Sequence, residues 1–227
     1  ISEWGHDFRT SYLQMGKNLE KYCSTNKDRK TTIVGLSGTA SENVLNDIKN
    51  ELMIQDNQYI VSPESFDREE IHFSVVKCKK LNEKKDALER ILTKEIPRHF
   101  NMEKNFYDTV GDSGMHGGVI FTSHAHVYNN GNPSTFPTST RKIHDFLVDK
   151  KILGKDTSDR INIYDGKVSD DPENNVRGKI LKEFKDNEIS CVVATKAFGM
   201  GIDKPNVSYS IHYTSPLSVE GFYQEAG

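Results

Sequence analysis

The sequence contains no uninterrupted apolar run of the roughly 18 residues that a membrane-spanning helix needs, so no such helix is expected. Its first residues, Ile1-Ser-Glu-Trp-Gly-His-Asp7, have neither the basic start nor the apolar stretch of a signal peptide. Cysteine is scarce: Cys23, Cys78 and Cys191 lie far apart without a C-x-x-C spacing. That argues against both a disulfide framework and a structural zinc site. Excess charge is small, since 30 Lys and Arg against 33 Asp and Glu leave −3. A protein that coats nucleic acid through bulk positive charge is therefore disfavoured, while one narrow basic groove stays possible. A phosphate-binding loop of the form G-x-x-x-x-G-K-[ST] appears nowhere in the 227 residues.

What is present suits a folded domain with a modest core, hydrophobic residues making up 35% and charged residues 28%. Short β-branched runs alternate with amphipathic stretches. Strands are expected over 31–36, 59–61, 71–76, 119–122, 161–164, 191–195 and 209–213. Helices are expected from the capping-box spacing Thr39 to Glu42 through Leu52, over 83–96 with a stop at Pro97, and over 140–149 and 173–186. Strands alternating with helices imply parallel βαβ units and a doubly wound α/β sheet. Ligands of such sheets bind in the loops at the carboxyl ends of the strands. The segments 101–117 and 128–138, rich in Gly, Asn, Pro and Ser, read as surface loops.

The densest chemistry lies in Val192-Val-Ala-Thr-Lys-Ala-Phe-Gly-Met-Gly-Ile-Asp-Lys-Pro-Asn-Val207. It reads as a buried strand ending in Thr195, then a glycine-punctuated turn, then an acid. A hydroxyl and free N–H groups at a strand end can hold a phosphate. Gly199 and Gly201 let the main chain come close to a ligand, and Asp203 could accept hydrogen bonds from a ribose. A tight connection with no ligand fits the same spacing.

This block resembles motif V of superfamily 2 helicases in its RecQ form. Asn174-Asn-Val-Arg177 and Phe222-Tyr-Gln-Glu-Ala-Gly227 are similar to RecQ patterns too, the latter to the opening of motif VI. Leu36-Ser-Gly-Thr-Ala40 resembles motif III, and Gly118-Val-Ile-Phe-Thr-Ser123 resembles motif IV. Ser65-Phe-Asp-Arg68 resembles the start of the second lobe. Ile1-Ser-Glu-Trp-Gly-His-Asp-Phe-Arg9 with Tyr12 resembles the aromatic-rich loop that follows the DEAH motif. The resemblance covers most of the chain, in order.

The resemblance implies RecA-like parallel sheets flanked by helices: the end of a first helicase lobe over 1–62 and most of a second over 63–227, truncated at its end. It implies an ATP-dependent 3′-to-5′ DNA helicase acting on single-stranded and duplex DNA, with ATP and Mg2+ held mainly by parts outside these residues. Trp4, His6, Phe8 and Arg9 would sense single-stranded DNA and report to the nucleotide. Ser37 and Thr39 would couple hydrolysis to strand movement. Ser123 and Thr195 would hold backbone phosphates. Gly201 and Asp203 would face the nucleotide, and Gln224 would lie near its γ-phosphate. The expected location is cytoplasmic and nucleoid-associated; protein partners are unknown.

Each residue also has a plainer role. Trp4 and Phe8 beside Tyr12 could form a small core cluster, and Arg177 a helix-surface charge. His124 and His126, two apart with no third ligand nearby, are a poor metal site, and none is expected. The basic run Lys77, Lys79, Lys80, Lys84 and Lys85 reads as a solvated face. The chain departs from the family where Thr122-Ser123-His124 stands for Asn-Ser-Arg, Ser37-Gly38 for Thr-Ala, and Asp165 for a common His. The stretch from motif IV to Tyr164 is longer than usual. By the missing phosphate loop, DEAH acids and arginine fingers, these residues alone are expected to be inactive. Rival readings are a DNA translocase of a defence system, an RNA helicase, and a non-catalytic nucleic-acid-binding module on a decayed motor fold.

Overall fold

Cys191-Val-Val-Ala194 is apolar at every position, as a strand covered on both faces must be. In the computed structural model it is one of the two central strands of a four-stranded parallel sheet. The structure describes residues 14–23, 32–36, 42–52, 54, 56, 59–62, 68–103, 106–108, 116–125, 128–129, 132–133, 136–168, 175–198, 202–216 and 218–226. The chain divides into two compact units, Ile1–Phe73 and Ser74–Gly227.

In the first unit, α1 (Met15–Cys23) packs on α2 (Glu42–Glu51). A Cβ at position 16 would strike the Glu51 carbonyl, so Gly16 is what permits the contact. The helix expected after Thr39 is present as α2. The strands expected over 31–36 and 59–61 are not: residues 32–36 and 60–61 run without strand pairing, and Val34 and Leu36 are 75% and 94% exposed. Extended chain becomes a strand only beside a hydrogen-bonded neighbour, and the described residues of this unit include none. The same holds for 71–76 across the unit boundary.

The second unit runs α3 (Leu81–Arg90), a π-helical turn (Ile91–Glu95), α4 (Ile96–His99), β1 (Gly117–Phe121), β2 (Tyr128–Asn129) and β3 (Asn132–Pro133). It continues through α5 (Thr140–Asp149), α6 (Thr157–Arg160), β4 (Ile161–Tyr164), α7 (Val176–Lys185), β5 (Cys191–Ala194), a 3-10 turn (Lys196–Phe198), β6 (Val207–His212) and α8 (Val219–Ala226). The main sheet has the order β4-β5-β1-β6, all parallel; β2 and β3 form a separate antiparallel pair. The helix expected to stop at Pro97 instead continues past it. The Ile96 N–H bonds Ile91 O five residues back, and the widened turn admits Pro97 at the start of α4, where no N–H is required.

Alternation along the strands sorts the core into two layers. Ile120 and Val193 pack with Leu88, Leu92, Ile143 and Leu147 on one face. Val119, Phe121, Val192 and Ala194 pack with Ile180, Phe184 and Phe198 on the other. Helices thus cover both faces, the doubly wound arrangement that the alternation predicts. A side chain at position 118 would fall inside the Tyr209 ring, so glycine there lets that ring lie across the central strand.

The described part of the segment 101–117 is better anchored than its composition implies. Phe106 and Tyr107 are buried in the core, and the Tyr107 hydroxyl donates to Leu92 O at 2.8 Å. Arg160 Nη1 then donates to Tyr107 O at 2.7 Å and to Asp108 Oδ1 at 2.8 Å. Among the described residues no helix is long and apolar enough to cross a membrane.

Candidate nucleic-acid interface

Parallel strands in register deliver their following loops to one edge. Phe121 pairs with Ala194 and Ala194 with Tyr164, so 122–124, 195–196 and 165–167 all emerge at the same carboxyl edge of the sheet. The Thr122 N–H extends the ladder to Ala194 O at 2.8 Å, and the Thr195 N–H reaches Tyr164 O at 3.3 Å. Ser123 and Thr195 are thereby brought to neighbouring positions on this edge, Ser123 exposed and Thr195 half-buried.

After β1 the chain is pinned by side chains. The Thr122 hydroxyl donates to Thr138 O. His124 Nδ1 lies 2.7 Å from Ser123 Oγ and 3.3 Å from Thr138 Oγ1. The His124 ring stacks on Phe136 with centroids 4.6 Å apart and planes 12° apart. His124 also bridges Ser139 in parallel fashion. Ser139 caps α5 by accepting from the Lys142 N–H at 3.4 Å, so the amino end of α5 faces this edge, a place that favours anions.

Asp165, at the end of β4, has no exposed surface. Its carboxylate accepts from the Thr140 hydroxyl at 2.6 Å and the Lys167 N–H at 2.9 Å. Its carbonyl accepts from Arg177 Nη2 at 3.1 Å, and the Arg177 guanidinium sits 6.0 Å from the Tyr164 ring centre. One carboxylate thus fastens the first turn of α5 to the end of β4, while its main chain holds an arginine of α7. Arg177 is more than the surface charge its spacing allowed, because its guanidinium is drawn in toward the strand end.

At the edge strand, His212 lies 3.0 Å from Glu225 of α8. The two are close but not aligned: His212 Nε2 has no hydrogen-bond partner among the described residues. Burial moves His212 below the ordinary histidine value. It moves Glu225 above the ordinary carboxylate value, with the Lys196 charge opposing. Burial thus opposes charge on both side chains, and ring packing adds to the contact. His212 stacks on Phe121 at 5.3 Å and meets Phe222 at 4.8 Å.

Asp203 is exposed and lies elsewhere. The adjacent Lys204 is buried, donates to Asn187 Oδ1 at 2.5 Å and approaches Gly117 at the amino end of β1. Asp203 is therefore near the opposite edge from Ser123 and Thr195. Gln224 falls on α8, its side chain outside the described residues. Trp4, His6, Phe8, Arg9, Ser37, Thr39 and Gly201 also lie outside them. Among the described residues no group of three or more His, Cys, Asp or Glu is placed to hold a metal ion. Sequence reading passed over Thr140 and Phe136. Asp165 was visible only as an unusual acid after a strand.

Residues 126–227 match the family described as helicase conserved C-terminal domain. Over its whole length the chain is 32% identical to the ATP-dependent DNA helicase RecQ of Bacillus subtilis (strain 168), covering 30% of that protein. It is 30% identical to a putative ATP-dependent DNA helicase Q1 of Caenorhabditis elegans, covering 28%. The chain therefore spans under a third of the length of these relatives. Similarity to the crystal structure of the Pyrococcus furiosus Hef helicase domain is looser. It has 22% identity over 63% of this chain and 22% of that one, with a TM-score of 0.38. In sequence along its full length, and in its parallel sheet flanked by helices, this is a RecQ-like chain of superfamily 2 with a RecA-like fold.

Proposed function

We propose that the chain is part of an ATP-dependent DNA helicase that moves 3′ to 5′ along single-stranded DNA and separates duplexes. The observation that carries this is the shared carboxyl edge, to which Ser123 and Thr195 are delivered by the paired strands that precede them. Short hydroxyl donors and a helix amino end hold phosphates without reading bases, which suits a motor that must pass over any sequence. Asp165 keeps α5 fixed to the sheet, so the edge is already shaped before a strand arrives. The relatives' names, which are those of ATP-dependent DNA helicases, support the same reading.

The lobe assignment, 1–62 and 63–227, belongs to this proposal, as do the sensing role of Trp4, His6, Phe8 and Arg9 and the coupling role of Ser37 and Thr39. So do the nucleotide roles of Gly201, Asp203 and Gln224, and the location with DNA in the cytoplasm. ATP with Mg2+ is the energy source proposed. The described residues offer no carboxylate group fit for the metal. The 227 residues, lacking a phosphate loop, are not expected to hydrolyse ATP alone.

Unwinding by the full-length protein of duplexes with a 3′ or a 5′ single-stranded tail tests the proposal. ATP-dependent separation of the 3′-tailed duplex alone is expected. Preference for the 5′ tail would overturn the polarity, and no DNA-stimulated hydrolysis or separation would overturn the function.

A further inference from the structure

The connection from β5 to β6 leaves the carboxyl edge at Thr195 and returns at the amino edge beside Gly117. Near its end Asp203 stands exposed between two held neighbours. Ile202 packs against the apolar layer of Val119, Phe184 and Phe198. Lys204 is buried, its ammonium 5.1 Å from the centre of the Phe184 ring and 2.5 Å from Asn187 Oδ1. The same oxygen accepts from Asn206 Nδ2 at 2.7 Å, and Asn206 O accepts from Gly117 N–H at 2.9 Å. One carboxamide oxygen thus gathers a donor from each side of Pro205. Asn187 follows α7 with φ 61°, a left-handed conformation that asparagine adopts more readily than most residues.

We propose that Asn187 and Lys204 are positioning residues for the nucleotide: their hydrogen bond fixes the place of Asp203, which accepts from a ribose hydroxyl. The inference rests on the nucleotide role proposed for Asp203. Burial holds Lys204 below the ordinary lysine value, with the Asp186 charge opposing. A methionine would fill the space beside Phe184 without the cost of desolvating a charge. What the ammonium adds is direction, since it ties the residue after Asp203 to one oxygen. An acceptor held in place before its ligand arrives binds without the cost of ordering the loop. Asn187 and Lys204 act through Asp203 and touch no nucleotide, so their loss should appear in binding rather than in turnover.

The test uses the full-length protein with single-stranded DNA and compares hydrolysis of ATP, 2′-deoxy-ATP and 3′-deoxy-ATP. A site that takes a ribose hydroxyl rejects the analogue lacking it. Wild type is therefore expected to favour ATP over one analogue by roughly tenfold or more in kcat/KM, and Asp203→Ala to lose that preference. Asn187→Gly keeps the left-handed backbone and removes the acceptor. Lys204→Met keeps the bulk beside Phe184 and removes the donor. Both should raise KM for ATP by about tenfold with kcat near wild type, and both should abolish the preference. Asn187→Asp, which again offers Lys204 an acceptor, should restore it. Lys204→Met leaves the backbone at 187 untouched, so it decides independently of any folding defect in Asn187→Gly. A lowered melting temperature with the preference intact in both variants overturns the positioning role and leaves Asp203 with its nucleotide. A wild-type preference in Asp203→Ala overturns the nucleotide role of Asp203 and the inference with it.

Discussion

The hydroxyl of Thr140 donates a 2.6 Å hydrogen bond to the carboxylate of Asp165, and both residues are fully buried. Two helix starts depend on this strand end, because Asp165 also accepts from Lys167 N and from Arg177. Asp165→Ala leaves the Thr140 hydroxyl and the Lys167 N–H without their acceptor. A loss of about 1–3 kcal/mol per buried group is expected, read from urea denaturation. Thr140→Val in the Asp165→Ala background should cost little more, because the shared bond is already gone.

Gly118→Ala should destabilise although alanine suits a strand no worse than glycine. The new methyl would collide with the Tyr209 ring, and overpacking typically costs about 1–3 kcal/mol. In a Tyr209→Leu background the same change should cost less. Denaturation midpoints of the four proteins give the coupling directly.

The legibility of this fold follows from burial. Cys191–Ala194, Ile161–Tyr164 and Gly117–Phe121 pack with helices on both faces, so their apolar runs announced strands without any knowledge of neighbours. Helix α5 was legible to the residue because Ser139 caps it and Ile143 and Leu147 share its buried face. Residues 32–36 have the same composition, yet a strand is a property of two segments, and no partner lies among those described. The π turn before Pro97 was invisible because the pattern does not encode how far back an N–H reaches. In the site, Ser123 and Thr195 could be found by their place after strands. The packing of Phe136 could not, since it depends on a ring, His124, twelve residues earlier.

Cysteine reactivity should separate cleanly. Cys23 is exposed, whereas Cys191 is wholly buried and burial pushes its thiol up to about 12. Thiolate is the reactive form. Iodoacetamide at neutral pH should therefore label Cys23 in the native protein and reach Cys191 only after denaturation, as peptide mass spectrometry would record. Prompt native labelling of Cys191 would contradict the buried position of β5.

The pair at the end of β6 predicts a pH dependence with two opposed parts. His212 has a depressed value when folded, so the unfolded chain binds more protons below about 6.5 and stability falls as pH drops through that window. Glu225 has a raised value, so its contribution is complete below about 4.5 and is lost as pH rises through the folded value. His212→Phe, which preserves ring packing against Phe121 and Phe222, should remove the first part. Urea midpoints collected from acid to neutral pH should lose their rise toward neutrality. An unchanged rise would assign it to other groups.

The most direct measurement concerns the carboxyl edge itself: affinity of the full-length protein for single-stranded DNA after Ser123→Ala and Thr195→Ala are introduced together. Loss of two charge-assisted hydrogen bonds, at about 1.5–3 kcal/mol each, predicts binding weaker by roughly a hundred- to ten-thousandfold. The loss should be equal for homopolymeric and mixed sequences, since phosphate contacts carry no sequence information. The slope of affinity against salt should stay the same, because neither hydroxyl neutralises a phosphate charge. Wild-type affinity in the double variant, or a loss confined to particular sequences, would contradict a phosphate-holding edge.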